Sequence, residues 1–154
     1  MFRMMQSLTP SLYDQDTFDT HFLRDMRKAR YSIIIESPFI RLARIEQFLP
    51  VFKRLTSCDV RIIINTRRPD EHDTRYRTQA IIAIQLLQEI GVEILFTIKH
   101  HRKLAIIDRE IIYEGSLNIL SYYDSCEIMR RITSKAEAEM LIDFIKLNKF
   151  MEVK

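Results

Sequence analysis

Short runs of isoleucine and valine, separated by helical stripes, constrain the fold of this chain more than any other feature of its sequence. Each run has strand length and is rich in β-branched side chains. The strands that these runs predict cover residues 31–35, 60–64, 92–98, 104–107, 110–113 and 127–132. Their alternation with helical segments predicts an α/β or α+β fold, in which a mixed β-sheet is flanked by helices on both faces.

The helical segments carry apolar residues at intervals of three and four, as on one face of a helix. The predicted helices cover residues 16–30, 41–55, 77–90 and 134–150. Pro50 predicts a kink in the second helix, Gly91 a C-terminal cap for the third, and the sequence S-K-A-E a capping box at the start of the fourth. Residues 65–75 are polar, contain a proline and predict an exposed loop.

Length and composition limit the class of protein. The 154 residues, 47% of them apolar and 29% charged, suit one globular domain over residues 1–154 and exclude wholesale disorder. No apolar run reaches the roughly 18 residues of a membrane span, and residues 1–16 show no signal-peptide pattern. Cys58 and Cys126 are too far apart in sequence for a zinc or disulfide pattern. We therefore expect a cytoplasmic protein without a membrane anchor.

One stretch of the sequence carries the candidate chemistry. From His101 to Asn118 it fits the pattern H-x-K-x4-D-x6-G-S-x-N. On a strand, His101 and Lys103 point to the same side, and Asn118 can return to that side from the far end of a hairpin. An imidazole beside a cation and an amide suits a phosphate oxyanion. The imidazole itself can act as nucleophile or proton carrier near neutral pH.

This pattern resembles the HKD signature of the phospholipase D superfamily, with the G-[GS]-x-N element that follows it. Six positions match at fixed spacing, which chance gives at a frequency on the order of 10⁻⁶ for a chain this long. The motif lies in a core of residues 98–132, and the surrounding elements extend the resemblance over residues 16–133. The resemblance implies a phospholipase D-like fold. It leaves the substrate open, because one superfamily hosts many functions.

The resemblance also implies catalytic roles. His101 would attack phosphorus and form a covalent phosphohistidine, while Lys103 and Asn118 would hold the non-bridging oxygens. Glu127 would bind the other imidazole nitrogen and fix its tautomer.

Three neighbouring residues are assigned less directly. Ser116 would lie at the rim and add a hydroxyl donor to the catalytic group. Asp108 matches the aspartate of the motif, and at a hairpin turn it would either contact substrate or hold backbone amides. His100 faces the opposite side of a strand from His101, so we assign it a structural role.

The chemistry of the resembled family needs two histidines, one that attacks and one that protonates the leaving oxygen. This sequence carries the motif once, since neither His21 nor His72 is followed by a lysine at the required spacing. The resemblance therefore implies a twofold homodimer whose two motifs meet at the axis, as in small single-motif nucleases of the family. It also implies no metal and no other cofactor, because Lys103 and Asn118 from both chains would supply the positive field.

Nucleic acid is the substrate that the sequence favours, in line with a mild net charge of +3. Cations near residues 65–77 could follow phosphates and a tyrosine could stack on a base. The candidates are Arg67, Arg68, Arg75, Tyr76 and Arg77. Nearby acidic residues almost cancel these charges, so a solvated loop is the alternative. Two rival functions stay open: a non-catalytic nucleic-acid module serving a helicase or restriction system, and phospholipid cleavage.

Overall fold

In the computed structural model, which describes residues 11–151, the chain forms seven β-strands and five α-helices. The strands are β1 (Ser11–Asp14), β2 (Ser32–Glu36), β3 (Arg61–Thr66), β4 (Glu93–Phe96), β5 (Leu104–Ile107), β6 (Ile111–Gly115) and β7 (Ile128–Thr133). The helices are α1 (Phe18–Arg27), α2 (Leu42–Ser57), α3 (Thr74–Glu89), α4 (Lys135–Phe144) and α5 (Asn148–Met151). None of these helices is long and apolar enough to cross a membrane. The prediction about a signal peptide over residues 1–16 falls largely outside the described residues.

A single mixed sheet joins these strands in the order β1-β7-β6-β5-β2-β3-β4. β2 lies in the interior of the sheet, where it pairs parallel with β3 and antiparallel with β5. Ile33 and Ile35 of β2 face a large core with α1, α2 and α3, whereas Ile34 faces a smaller core under α4. Both faces of β2 are therefore buried, which explains its continuous apolar run. The predicted mixed sheet with helices on both faces is confirmed.

Two elements differ from the sequence prediction at the ends of the described chain. β1 is absent from the prediction, because the sequence S-L-Y-D has no β-branched run; antiparallel pairing with β7 defines this strand. The helix predicted over residues 134–150 ends at Phe144. Lys146 then adopts a left-handed φ of 61°, which breaks the helix before α5 begins.

The exposed loop predicted over residues 65–75 is largely structured. Its first two residues belong to β3, and Pro69–Glu71 form a 3₁₀ turn. His72 is buried. α3 then begins at Thr74, three residues earlier than predicted, because the Asp73 side chain accepts a hydrogen bond from the backbone N–H two residues later and caps the helix.

A buried carboxylate fastens α1 to the sheet. The hydroxyl of Tyr113, on β6, donates a hydrogen bond to Asp25. Nε of Arg131, on β7, donates to the same carboxylate at 2.7 Å. Burial, together with the hydrogen bond to Asp25, raises the pKa of Tyr113 far above its usual range. Asp25 thus accepts hydrogen bonds from residues of two strands. Its removal would leave the Tyr113 hydroxyl and Arg131 Nε without this acceptor.

We predict that Asp25→Ala lowers the free energy of unfolding by about 3 kcal/mol or more, because the variant leaves the Arg131 charge and the Tyr113 hydroxyl unpaired. Tyr113→Phe keeps the Asp25–Arg131 ion pair and should lose only about 1 kcal/mol. Urea denaturation of both variants measures the difference. Equal losses would contradict this assignment of the carboxylate.

Candidate active site

Four connecting segments meet at one edge of the sheet. They comprise residues 37–41, 67–73, 97–103 and 116–127. Backbone and side-chain hydrogen bonds join them: the Arg67 N–H donates to the Pro38 carbonyl, and the Arg41 N–H to the Leu120 carbonyl. Because β5 runs antiparallel to β2, the segment before β5 lies beside the carboxyl ends of β2 and β3. Ligands of open α/β sheets bind at such carboxyl ends.

His101 and Lys103 contact each other at this edge. Lys103 Nζ lies 3.2 Å from His101 Nδ1 and donates a hydrogen bond to the His101 carbonyl at 3.0 Å. Both residues precede β5, so they are not on a strand as predicted. The predicted side-by-side orientation nevertheless holds. His101 is exposed and Lys103 is partly buried, which leaves the imidazole open to a substrate.

The alternate residues of this segment point the other way, to the buried carboxylate of Glu36 at the end of β2. His100 Nε2 and Arg102 Nε lie 3.0 Å and 2.8 Å from Glu36 Oε2. Asn65 Nδ2 donates to Glu36 Oε1 at 3.2 Å. Two anchors, one on each side of His101, therefore fix the direction in which His101 and Lys103 project. The structural role predicted for His100 agrees with this contact.

Glu36 is a functional residue that the sequence analysis missed. It is fully buried, although it carries a charge. It ends the run S-I-I-I-E without belonging to any motif. The available signal was a carboxylate that directly continues a fully apolar strand, since such a group needs buried partners.

The charges around Lys103 favour an anion. Partial burial lowers the pKa of Lys103; the nearby carboxylate of Glu127 raises it, and the guanidinium of Arg67 lowers it further. An ammonium with a lowered pKa gains stability when a negative group approaches. A phosphate oxygen beside Lys103 would supply that charge.

Among the predicted nucleic-acid residues, Arg67 contacts the segment of residues 97–103 directly. Its Nε donates to the His100 carbonyl at 2.6 Å. Its guanidinium lies over the ring of Phe39, 5.0 Å from the centroid. These contacts hold a second cation close to Lys103.

The other four predicted nucleic-acid residues lie further along the same segment. Arg75 pairs with Asp73 at 3.2 Å, and Arg77 donates to the Asp70 carbonyl at 3.2 Å. Both therefore have intramolecular partners. Arg68 is exposed and Tyr76 is partly buried. Arg75, Tyr76 and Arg77 belong to the first turn of α3. Arg75 is therefore not in a loop as predicted, whereas Arg77 is helical as predicted.

Asn118 lies on a turn that buried contacts hold in place. Its neighbours Leu117 and Ile119 are fully buried. Arg44 Nε donates to the Ile119 carbonyl at 2.8 Å, and the same guanidinium forms a bidentate pair with Asp19 at 2.6 and 2.7 Å. Within residues 11–151, the buried Oδ1 of Asn118 has no hydrogen-bond partner. An unpaired buried polar atom is costly, so this position suits a ligand contact.

Gly115 and Ser116 brace the edge of the sheet. A side chain at Gly115 would overlap the Ile128 carbonyl oxygen, so the close approach of β6 and β7 requires glycine here. Ser116 Oγ accepts a hydrogen bond from the Ile128 N–H at 3.0 Å. The Ser116 hydroxyl also donates to the Ile128 carbonyl at 3.4 Å. In this structure it binds the backbone of β7, and its role as a catalytic hydroxyl donor stays a prediction.

Asp108 lies at the opposite end of β5 from His101. Its carboxylate accepts hydrogen bonds of 2.8–3.1 Å from the backbone N–H groups of Arg30, Tyr31 and Ser32. It occupies the β5–β6 turn with a φ of 52°. Including Asp108 among the catalytic residues is wrong. Its alternative predicted role, binding backbone amides at the turn, is the one that the structure shows.

Glu127 stands near the site without the contact expected of it. Its charge acts on Lys103, as described above. Its backbone N–H donates to Gln15 Oε1 at 2.9 Å. Among the described residues, its carboxylate makes no hydrogen bond to His101. The orienting role implied by the resemblance therefore stays a prediction.

Potential metal ligands are dispersed over the described part of the chain. No group of three or more His, Cys, Asp or Glu side chains within residues 11–151 is arranged to hold a metal ion. Cys58 and Cys126 are both exposed and unbridged.

Comparison with known proteins identifies a family. A family model described as "Cardiolipin synthase, PLD-like domain" matches residues 22–146. No curated protein sequence matches the chain. The matched region includes residues 101–118, which carry the HKD-like motif, as well as His100, Arg102 and their partner Glu36.

Solved structures share the fold at low sequence identity. Nuc, a phospholipase D family member from Salmonella typhimurium, has a TM-score of 0.72 at 15% identity, over 93% of this chain and 96% of that chain. NucT from Helicobacter pylori has a TM-score of 0.70 at 16% identity, over the same shares of the two chains. TrmBL2, an archaeal chromatin protein described as showing a novel mode of DNA binding, has a TM-score of 0.57 at 14% identity. It covers 96% of this chain and 54% of its own. The predicted phospholipase D-like fold is confirmed.

The Glu36 anchor predicts a specific dependence of stability on pH. Burial alone would raise the pKa of Glu36, but the hydrogen bond and charge of His100, the charge of Arg102 and the hydrogen bond from Asn65 bring it below 4.5. A carboxyl whose pKa is lowered by folding stabilises the folded state above about pH 4.5. That stabilisation is lost as the pH falls through the lower folded-state value.

We therefore predict that Glu36→Gln is less stable than wild type at pH 7 and loses less stability on acidification. Urea denaturation at a series of pH values between 7 and 3 measures this, with Glu46→Gln, an exposed glutamate on α2, as the matched control. Parallel pH profiles for wild type and Glu36→Gln would contradict the role of the anchor.

Proposed function

The chain belongs to the phospholipase D superfamily, and from that premise we propose that it is a metal-independent phosphodiesterase, an endonuclease that cleaves DNA or RNA. The observation that carries this proposal is the exposed imidazole of His101 beside the ammonium of Lys103. A nucleophile next to a fixed cation, with Arg67 close by, suits attack on an anionic phosphodiester.

The proposed reaction has two steps. In the first, a neutral His101 attacks phosphorus, the bond to the leaving oxygen breaks, and that oxygen takes a proton from a second imidazole. In the second, water attacks the phosphohistidine, gives its proton to that second imidazole, and releases His101 with a phosphate monoester. Lys103 and Asn118 would stabilise the charge on the non-bridging oxygens of both five-coordinate states.

A second copy of the chain is the proposed source of the second imidazole. His21 stacks on Tyr13 at 4.2 Å between ring centroids, and contacts Arg24 on α1. His72 is buried against Phe39. His100 is held by Glu36. Since the other three histidines have these surroundings, we infer a homodimer in which two copies of His101 share one site.

Nucleic acid is the proposed substrate. Arg67 and the exposed Arg68 extend the positive charge of the site away from Lys103 along the chain. Tyr76, whose ring contacts Arg41 and Arg75, adds an aromatic surface at the start of α3. Among proteins with this fold, TrmBL2 is described as binding DNA. Phospholipid cleavage is a second candidate, because the description of the matching family model names cardiolipin synthase, an enzyme of phospholipids.

Digestion of plasmid, single-stranded DNA, RNA and phospholipid vesicles by the purified protein tests the proposal. Cleaved nucleic acid without lipid products supports it, and lipid products alone favour the second candidate. Binding of nucleic acid without cleavage would instead favour a non-catalytic module that serves a partner such as a helicase or restriction enzyme.

We predict that His101→Ala stops turnover and that Lys103→Ala slows it about 100- to 1,000-fold, the scale for loss of one oxyanion donor. His21→Ala and Lys53→Ala change the same residue types on α1 and α2, outside the His101–Lys103 contact, and should keep near-normal rates. Steady-state assays measure the rates, and circular dichroism checks that each variant folds. A His101→Ala variant with near-normal activity would rule out the proposed nucleophile.

The proposed chemistry also predicts activity in excess EDTA, because protein cations rather than Mg²⁺ stabilise the reacting phosphate. The same plasmid assay, run with EDTA and then with added divalent ions, provides the measurement. Loss of activity on chelation with rescue by Mg²⁺ would contradict metal independence.

A shared site predicts that the active species has the mass of two 18.5 kDa chains. Its specific activity should fall on dilution below the dissociation constant of the dimer. Analytical ultracentrifugation beside activity measurements over the same concentrations tests both. Full activity in a species of one-chain mass would refute the dimer.

A further inference from the structure

A cavity of about 320 Å³ opens beside Asn118, outside the His101–Lys103 contact. Three of the four connecting segments and the start of α3 line it, with Phe39, Arg41, His72, Asn118 and Ser121 from the segments and Tyr76 from the helix. Its volume lies at the small end of the range for small-molecule pockets. The cavity adjoins the candidate active site through Asn118, and through Phe39, on which the Arg67 guanidinium lies.

Two buried polar atoms of this lining have no hydrogen-bond partner within the described residues. They are Nε2 of His72 and Oδ1 of Asn118. His72 is only 5% exposed, and burial lowers its pKa, so its ring is neutral near pH 7. A neutral imidazole has one donor and one acceptor nitrogen. Each unpaired atom destabilises the empty protein. A ligand donor would satisfy Asn118 Oδ1, and a ligand donor or acceptor would satisfy His72 Nε2, according to the tautomer of the ring.

Flat side chains form the remaining walls. Phe39 meets His72 edge-on, with 5.3 Å between ring centroids. The guanidinium of Arg41 lies 4.9 Å from the ring centroid of Tyr76 and 5.2 Å from that of Tyr123. Aromatic rings and arginine planes are the surfaces on which unpaired nucleobases stack.

The charge of the lining argues against an anionic occupant. Glu71 and Asp73 also line the cavity, and their two negative charges outnumber the one positive charge of Arg41. Glu71 accepts hydrogen bonds from the Lys99 N–H at 3.1 and 3.2 Å, so it is held in place. Two carboxylates would repel a phosphate or a lipid headgroup, whereas a neutral heterocycle meets no such repulsion.

We propose that this cavity receives an unpaired nucleobase next to the phosphate bound at His101, Lys103 and Asn118, and so selects single-stranded or locally opened nucleic acid. The inference rests on the proposed function and adds a substrate class to it. A base in the cavity would stack beside Tyr76 and use its polar edge to pair with His72 and Asn118. In a duplex that edge is already paired, so the base would first have to leave the helix.

Oligonucleotides with one cleavable phosphodiester test this proposal. The other linkages are uncharged methylphosphonates, and the base on either side of the cleavable linkage is present or replaced by an abasic sugar. Binding is measured by fluorescence anisotropy with the His101→Ala protein. The value of kcat/KM is measured with protein that keeps His101. We expect one abasic replacement to lower affinity and kcat/KM about five- to 150-fold, the range for one stacked base.

In a Tyr76→Ala background the same abasic replacement should change affinity less than twofold, because the stacking partner is gone. Tyr76→Phe keeps the ring and should retain the wild-type penalty. Tyr31→Ala, which removes an exposed tyrosine next to the Asp108 turn at the opposite edge of the sheet, is the matched control. A Tyr76→Ala protein that binds both strands more weakly than wild type, but keeps the wild-type ratio of affinities between intact and abasic strands, would overturn the assignment of Tyr76.

The test separates this proposal from the proposed function. Equal binding and cleavage of intact and abasic strands would overturn the base cavity and leave the nuclease intact. Absence of cleavage of every strand would overturn the nuclease, while the binding ratio would still decide the cavity. Faster cleavage of the linkage within a duplex than in a single strand would also overturn the cavity.

Discussion

The buried carboxylate of Glu36 is the interaction on which the candidate site depends. Glu36 is the last residue of β2 and has no exposed surface. His100 and Arg102, from the segment before β5, contact its carboxylate. A buried carboxylate is tolerated only with such partners, so the conformation of this segment depends on the contacts of His100 and Arg102 with Glu36. Because His100 and Arg102 are fastened inward, His101 and Lys103 between and after them face outward. The exposed position of His101 and Lys103 thus follows from the buried contacts of Glu36.

The other half of the site is fixed by a second buried charge. Arg44 joins Asp19 of α1 to the carbonyl of Ile119, and so holds the turn that carries Asn118. These two anchors hold Lys103 and Asn118 in position before a substrate binds. Pre-positioned groups of this kind need no rearrangement when charge develops on a substrate, which is how electrostatic catalysis reaches its full effect.

Periodicity and spacing predicted the helices, most strands and the His101–Lys103 pair, because these depend on residues close together in sequence. β1 was not predictable in this way, since a strand of four mostly polar residues exists only through its partner β7. Glu36 was missed for the same reason: its role arises from contacts with residues 29 or more positions away in sequence. Asp108 and Ser116 show a different limit. A motif records which residues a site needs, but its spacing does not distinguish a side chain that touches substrate from one that binds backbone.

The central claim is that the imidazole presented by these two anchors becomes covalently bonded to phosphorus. Rapid acid-free quenching of the protein with a single-linkage oligonucleotide, followed by peptide mass spectrometry, tests it most directly. The account predicts a nucleotide adduct on the peptide that contains His101, located at that residue by fragmentation and absent at long reaction times. Cleavage that proceeds at the wild-type rate with no adduct at any time, or with an adduct on another residue, would contradict it.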